Sequence, residues 1–244
     1  YGVVKIAIKP ASGSTLTDAT KLSIVNQLKR FNVASVRPEI VDPETTSIIL
    51  TSNVKYDEKA TTKTADTLKS DILTTITNYN TNTLQQFDTV FRHSKITGLI
   101  DDTDTSILSN VTSLLVRKTF TPTLSQSIRY NIYFRNGIFN PHPGHKSGTG
   151  GVISTSGFKV PNDNNIYFLD DDGNGNIRRY YFVGSVRTYV NNTQGTVDYD
   201  TGQITINSLT VESIENIRGS ASSVIEVTVE PASYDIVPVR DQIL

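Results

Sequence analysis

The chain contains no cysteine, no methionine and no tryptophan, and only three of its 244 residues are histidine. Without cysteine it can form neither a disulfide framework nor a thiolate metal site, so its stability has to come from packing. An excess of charge of either sign is also lacking: the formal net charge is −1 and the pI about 6.3. The broad basic footprint of a nucleic-acid or acidic-membrane binder is therefore missing. No apolar run approaches the roughly 20 residues of a membrane-spanning helix, and the start lacks the basic-then-apolar pattern of a signal peptide. With no initiator methionine, and with Val237 to Leu244 breaking off inside an apolar pattern, the expected object is a fragment of a longer polypeptide.

Catalytic material is equally sparse. There is no serine nucleophile elbow, and the histidines lie in two separate regions, so no catalytic residue is assigned and the chain reads as a non-enzyme. His142 and His145 flank Pro143 and Gly144 in a segment rich in Gly and Pro. They are read as members of an exposed loop, and no metal or other cofactor is assigned. Gly144-His145-Lys146-Ser147 is too incomplete for a phosphate loop. Asp170, Asp172, Asn174 and Gly175 occupy the first, third, fifth and sixth places of a calcium loop, but Tyr181 stands where a bidentate Glu belongs and both flanks read as strands; a polar hairpin turn accounts for the same residues.

What is present is a change of grammar near residue 120. In Val3 to Lys9 apolar and polar residues alternate, as in a half-buried strand. Pro10, Gly13 and Ser14 then supply a turn, Thr15 or Thr17 caps a helix, and Ala19, Leu22, Val25 and Leu28 return to one helical face. Ile48, Leu50, Val54 and Tyr56 share one face of a second strand. Thr64 starts a helix carrying Leu68, Ile72, Ile76 and Tyr79, and Leu84, Phe87, Val90 and Phe91 start a shorter one expected to end near Gly98. Ile107 to Phe120 reads as strand. The fold expected is α+β: a β-α-β-α-α-β sandwich-like unit over 1–120, its helices on one sheet face, followed by a mainly antiparallel β domain over 121–244.

In the second half the expected strands are Ile128 to Arg135, Ile166 to Leu169, Ile177 to Val183, Val186 to Val190, Gly195 to Tyr199, Gln203 to Ile206 and Val224 to Val229. A hairpin turns at Asp200-Thr201-Gly202, and Asn140 to Gly157 is a long exposed loop. Asp101 to Asp104 and Asp170 to Asp172 are expected in solvated turns. Arg178, Tyr180 and Phe182 share one strand face and are of the type enriched at protein contacts, which makes them the candidate contact residues.

The stretch LTDATKLSIVNQLKRFNVASVRPEIVDPE followed by TTSIILTSNVKYD, together with the hairpin GTVDYDTGQITIN, resembles the baseplate J-like family of contractile phage tails, and within it the ring-forming wedge subunits of T-even phages. That resemblance implies a structural virion protein, assembled in the host cytoplasm and located in the tail baseplate. It implies a chain that pairs with itself and with other wedge subunits around the tail hub, in a ring that rearranges on sheath contraction, with no nucleic-acid or membrane partner. The competing expectation is a receptor- or glycan-binding β module displaying the Asn140 to Gly157 loop.

Overall fold

The computed structural model describes residues 2–8, 16–31, 36–42, 44–86, 89–237 and 242–243; the first turn at Pro10 to Thr15 and Phe87 lie outside them. Strand β1 (Gly2–Ala7), helix α1 (Asp18–Leu28) and strand β2 (Val36–Val41) form a crossover unit. β1 and β2 pair in parallel from Gly2↔Val36 to Ala7↔Val41, as a right-length crossover with an intervening helix requires. Thr17 Oγ1 accepts from Thr20 N at 3.3 Å and so satisfies one free amide at the helix start. The partner of β1 is thus β2, which the sequence reading passed over: Pro38 sits in it, and proline is tolerated in a strand only where no ladder donor is needed. No residue of α1 is buried, and Val3, Val4 and Leu22 are about half exposed.

Strand β3 (Thr45–Tyr56) belongs to the large sheet. Helix α2 (Ala65–Tyr79) is capped by Thr64, whose Oγ1 accepts from Thr67 N, and runs into one wide turn at Asn80–Leu84 that keeps Leu84 buried. Helix α3 (His93–Asp101) is shorter and later than expected. Phe91 is not helical: its N–H and C=O both pair with Ile236, at 3.0 and 2.9 Å, and Asp235 Oδ1 accepts from His93 N at 2.9 Å. A segment more than 140 residues away therefore sets the helix start, and Gly98 lies inside the helix rather than at its end.

Strand β4 (Ile107–Phe120) pairs antiparallel with β3. Leu50↔Leu114 and Ile48↔Val116 face α2 and α3, where Ile96, Ile100, Leu114 and Val116 are almost wholly buried. The other face carries Val111 and Leu115 into solvent, so the helices cover one side only, and Leu108 is exposed at the register shift opposite Lys55 and Tyr56.

Lys63 fastens the loop before α2. Its Nζ lies 2.9 Å from both Asp71 Oδ2 and Asp104 Oδ2. Asp104 also accepts from Ser106 N and Oγ, and with Lys63 as the leading cause its carboxyl is held at about 2. A depressed carboxylate contributes stability that is complete above its unfolded value of about 3.9 and disappears as pH falls toward the folded value. The expected result is that the stability difference between the natural chain and Lys63→Met, measured by denaturant unfolding, shrinks as pH is lowered from about 4 toward 2.

The sheet continues past residue 120. After β5 (Ile128–Tyr133), β6 (Ile153–Thr155), β7 (Phe158–Lys159), β8 (Tyr167–Asp171), β9 (Asn176–Val183), β10 (Val186–Asp198), β11 (Gln203–Leu209) and β12 (Ser213–Ile214) comes β13 (Ile225–Val229), which pairs with β4 from Ile225↔Phe120 to Val229↔Val116. A short β14 (Gln242–Ile243) adds to β3 at the edge. The order is β14-β3-β4-β13-β6-β8-β9-β10-β11-β5, with β7 on β8 and β12 on β7. Every neighbouring pair of this sheet except β14–β3 is antiparallel, and Phe134, Phe158, Leu169, Ile204, Leu209 and Val227 join Leu114 and Val116 in one buried cluster.

The expected hairpin is present, with Val197 opposite Ile204 and Asp198 opposite Gln203, but Tyr199 lies in the turn rather than in the ladder. Gly202 takes φ +67°, and a side chain there would strike the Asn136 carbonyl. The two strands expected at 186–190 and 195–199 are one strand, β10, with register shifts between Tyr189 and Gly195. Gly195 permits this, since any Cβ would collide with the Thr205 carbonyl of the facing strand. Asn140 to Gly157 is not exposed throughout: Val152 and Ile153 are buried, and β6 pairs with β8 and β13.

Candidate functional site

The most polar part of the interior lies where β8, β9 and β10 run side by side. Asp170 and Arg178 are directly opposite in the β8–β9 ladder, and Arg178 Nε donates to Asp170 Oδ1 at 2.9 Å. Tyr189 of β10 donates its hydroxyl to Asp170 Oδ2 at 2.8 Å, and Arg187 Nε stands 3.8 Å from the same oxygen. Burial raises the Asp170 carboxyl above its ordinary value, and Tyr189 and Arg178 oppose that only in part. Burial, followed by the bond to Asp170, pushes the Tyr189 phenol up to about 12.

The two arginines also reach the loop above. Arg178 Nη2 donates to Ser147 O at 3.1 Å and Asp171 O at 2.7 Å, and Arg187 Nη1 donates to Thr149 O at 2.6 Å. Asp171 completes the fastening: Oδ1 accepts from Val152 N and Ile153 N at 2.7 and 2.8 Å, and Oδ2 accepts from the Tyr199 hydroxyl at 2.7 Å. Asp170 and Asp171 are therefore strand residues, 1% and 0% exposed, instead of members of a solvated turn. Of the three, Asp172 alone occupies the turn, where its Oδ1 accepts from Asn174 N and Asn176 N and its Oδ2 from Asn176 Nδ2. Each carboxylate oxygen of this run that a calcium loop would use already receives protein donors, and the arrangement holds shape.

Above this hub the side chains become apolar and reach the surface. Phe168 and Tyr180 stack with centroids 5.8 Å apart, Phe182 meets both edge-on at 5.6 and 5.4 Å, and the Arg187 guanidinium lies 5.2 Å from the Tyr180 ring and 5.8 Å from the Phe182 ring. The β9–β10 hairpin thus ends in an exposed apolar tip of Phe182, Val183 and Val186 (44, 58 and 68% exposed). The three candidate contact residues share this face, but they differ in access. Arg178 and Tyr180 are buried in the hub and Phe182 alone is open to solvent. Arg187 and Tyr189 were missed, and Asp170 was read as a turn residue; the sequence signal for its partner is the hairpin count that sets Asp170 opposite Arg178.

Comparison with known proteins finds likenesses over the first half of the chain. Residues 45–119, from β3 through β4, match the family described as baseplate structural protein gp6, C-terminal domain III. Residues 1–41, the β1-α1-β2 unit, match the family described as baseplate structural protein gp6, C-terminal domain I. These two segments of the chain are thus similar to two domains of a baseplate structural protein. One curated relative is baseplate wedge protein gp6 of Enterobacteria phage T4, 32% identical over 133 residues, a match that covers 53% of this chain and 20% of that protein. The chain thus spans about a fifth of the length of the curated relative it matches.

Proposed function

We propose that the chain is a structural part of a phage tail baseplate whose activity is assembly: it pairs with itself and with other wedge subunits to build a ring around the tail hub, and that ring rearranges when the sheath contracts. The observation that carries this reading is the pair of family matches to a baseplate structural protein over residues 1–41 and 45–119. In this reading residues 1–120 supply the scaffold, residues 121–244 display a contact surface, and the role is mechanical rather than catalytic. The exposed tip of Phe182, Val183 and Val186, backed by Arg187 on two aromatic rings, has the aromatic-plus-arginine composition of a contact centre. A closed ring of one kind of subunit needs self-complementary or paired faces.

The test is sedimentation of the purified chain. A stable interface buries more than about 1,000 Å² in total, so association should persist at about 50 µM. It should fall at least tenfold in Phe182→Glu combined with Val186→Glu, two changes at exposed positions of the hairpin tip, with circular dichroism checking that the fold is kept. A monomer at every concentration would remove self-association through this segment from the proposal.

A further inference from the structure

We propose that His142 and His145 form a transition-metal site, selective for borderline divalent ions such as zinc, cobalt or nickel. His142 Nε2 and His145 Nδ1 lie 3.4 Å apart with the rings nearly perpendicular, centroids 5.0 Å apart and planes at 86°. That separation is at the outer limit of a hydrogen bond. It equals the edge between two nitrogens that each lie about 2.0–2.1 Å from one ion at a tetrahedral angle, which is about 3.3–3.4 Å.

The tautomer agrees. His142 Nδ1 is 3.1 Å from the Pro143 carbonyl oxygen, which can only accept, so Nδ1 carries the proton and the Nε2 lone pair points at His145. A carbonyl orienting the far side of an imidazole is the usual support of a metal-ligating histidine.

The backbone holds the pair in place. His145 N donates to His142 O at 3.2 Å, Gly144 takes φ +74° and its N donates to Gly173 O at 2.9 Å, and Phe139 meets the His145 ring edge-on at 5.2 Å. His142 opens onto a cleft of about 520 Å³ that is also lined by Asn140, Asn174, Asp198 and Asp200. Asn140 Oδ1 and His145 Nε2 are each buried with no hydrogen-bond partner among the described residues, while Asn140 Nδ2 donates to Gly173 O. Among the described residues no third His, Asp or Glu joins the pair to make a three-ligand cluster. The site therefore offers two imidazoles and leaves the remaining positions to water and neutral oxygen, a donor set that favours borderline ions over calcium or magnesium.

The experiment titrates untagged protein with zinc chloride by calorimetry and with cobalt chloride by visible absorption. The expected result is one ion per chain and a rise in melting temperature. Calcium should produce none of this. His142→Ala and His145→Ala should each abolish binding, with circular dichroism checking that the fold is kept. His93 serves as the internal control, because its Nε2 is engaged 2.8 Å from the Thr112 carbonyl. No heat and no cobalt absorption up to about 1 mM metal, a signal that survives in the double variant, or an equal response to calcium would each overturn the proposal.

Discussion

Asp170→Ala is expected to destabilise the chain by about 3–5 kcal/mol, because it leaves Arg178 charged and buried with its main partner gone. For a domain of this size that corresponds to a fall in melting temperature of roughly 6–20 °C. The origin of the loss is instructive. Burial holds the Asp170 carboxyl above its ordinary value, so the ionised carboxylate by itself is a burden on the fold. The cost of deletion comes from what it leaves behind: Arg178 Nε, the Tyr189 hydroxyl and the nearby Arg187 Nε lose their acceptor. A double replacement that removes both charges, Asp170→Leu with Arg178→Met, should therefore recover a good part of the loss, since well-packed apolar residues can substitute for a buried pair. Thermal and urea unfolding of the two variants decide the matter. A single-variant loss below about 1 kcal/mol would show that the pair is not sequestered as described.

Phe91→Ala is expected to cost about 3–5 kcal/mol by emptying a fully enclosed site. Phe91 is 1% exposed and belongs to the central buried cluster. Its backbone is also the strap between the two halves, paired both ways with Ile236, next to the Asp235 carboxylate that accepts from the first amide of α3. Hydrogen exchange should show α3 losing protection together with residues 231–237, not with α2, because α3 takes its starting geometry from that distant segment. If α3 stayed protected while global stability dropped, the strap would be shown to act by packing alone.

These two sites mark the division between what local sequence carries and what it does not. The caps at Thr17 and Thr64 were legible because an N-cap hydroxyl and the amide it accepts from are three residues apart. The β3 face was legible because strand side chains alternate with period two, and the 195–206 hairpin because its strands are joined by a turn with Gly at positive φ. The resemblance to baseplate proteins over residues 16–57 falls almost wholly within the two family matches, whereas the 195–207 hairpin that also carried it lies outside them.

Other features are determined by partners the local pattern cannot name. Leu84 to Phe91 has helical spacing, yet Phe91 is drawn into a bridge by Ile236, and two backbone hydrogen bonds in a buried place outweigh a propensity worth tenths of a kcal/mol per residue. Asp170 and Asp171 look like a polar turn, yet they are buried because Arg178, Tyr189, Tyr199 and the amides of Val152 and Ile153 converge on them. The same convergence draws Val152 and Ile153 out of an apparent loop and into the sheet. The sequence by itself determined the caps, the alternation, the turn chemistry and the α+β class, all of which depend on residues within a few positions of one another; the burial of the charged hub, the start of α3 and the meeting of two histidine nitrogens were decided by tertiary structure, because each depends on groups that only the folded chain brings within hydrogen-bonding distance.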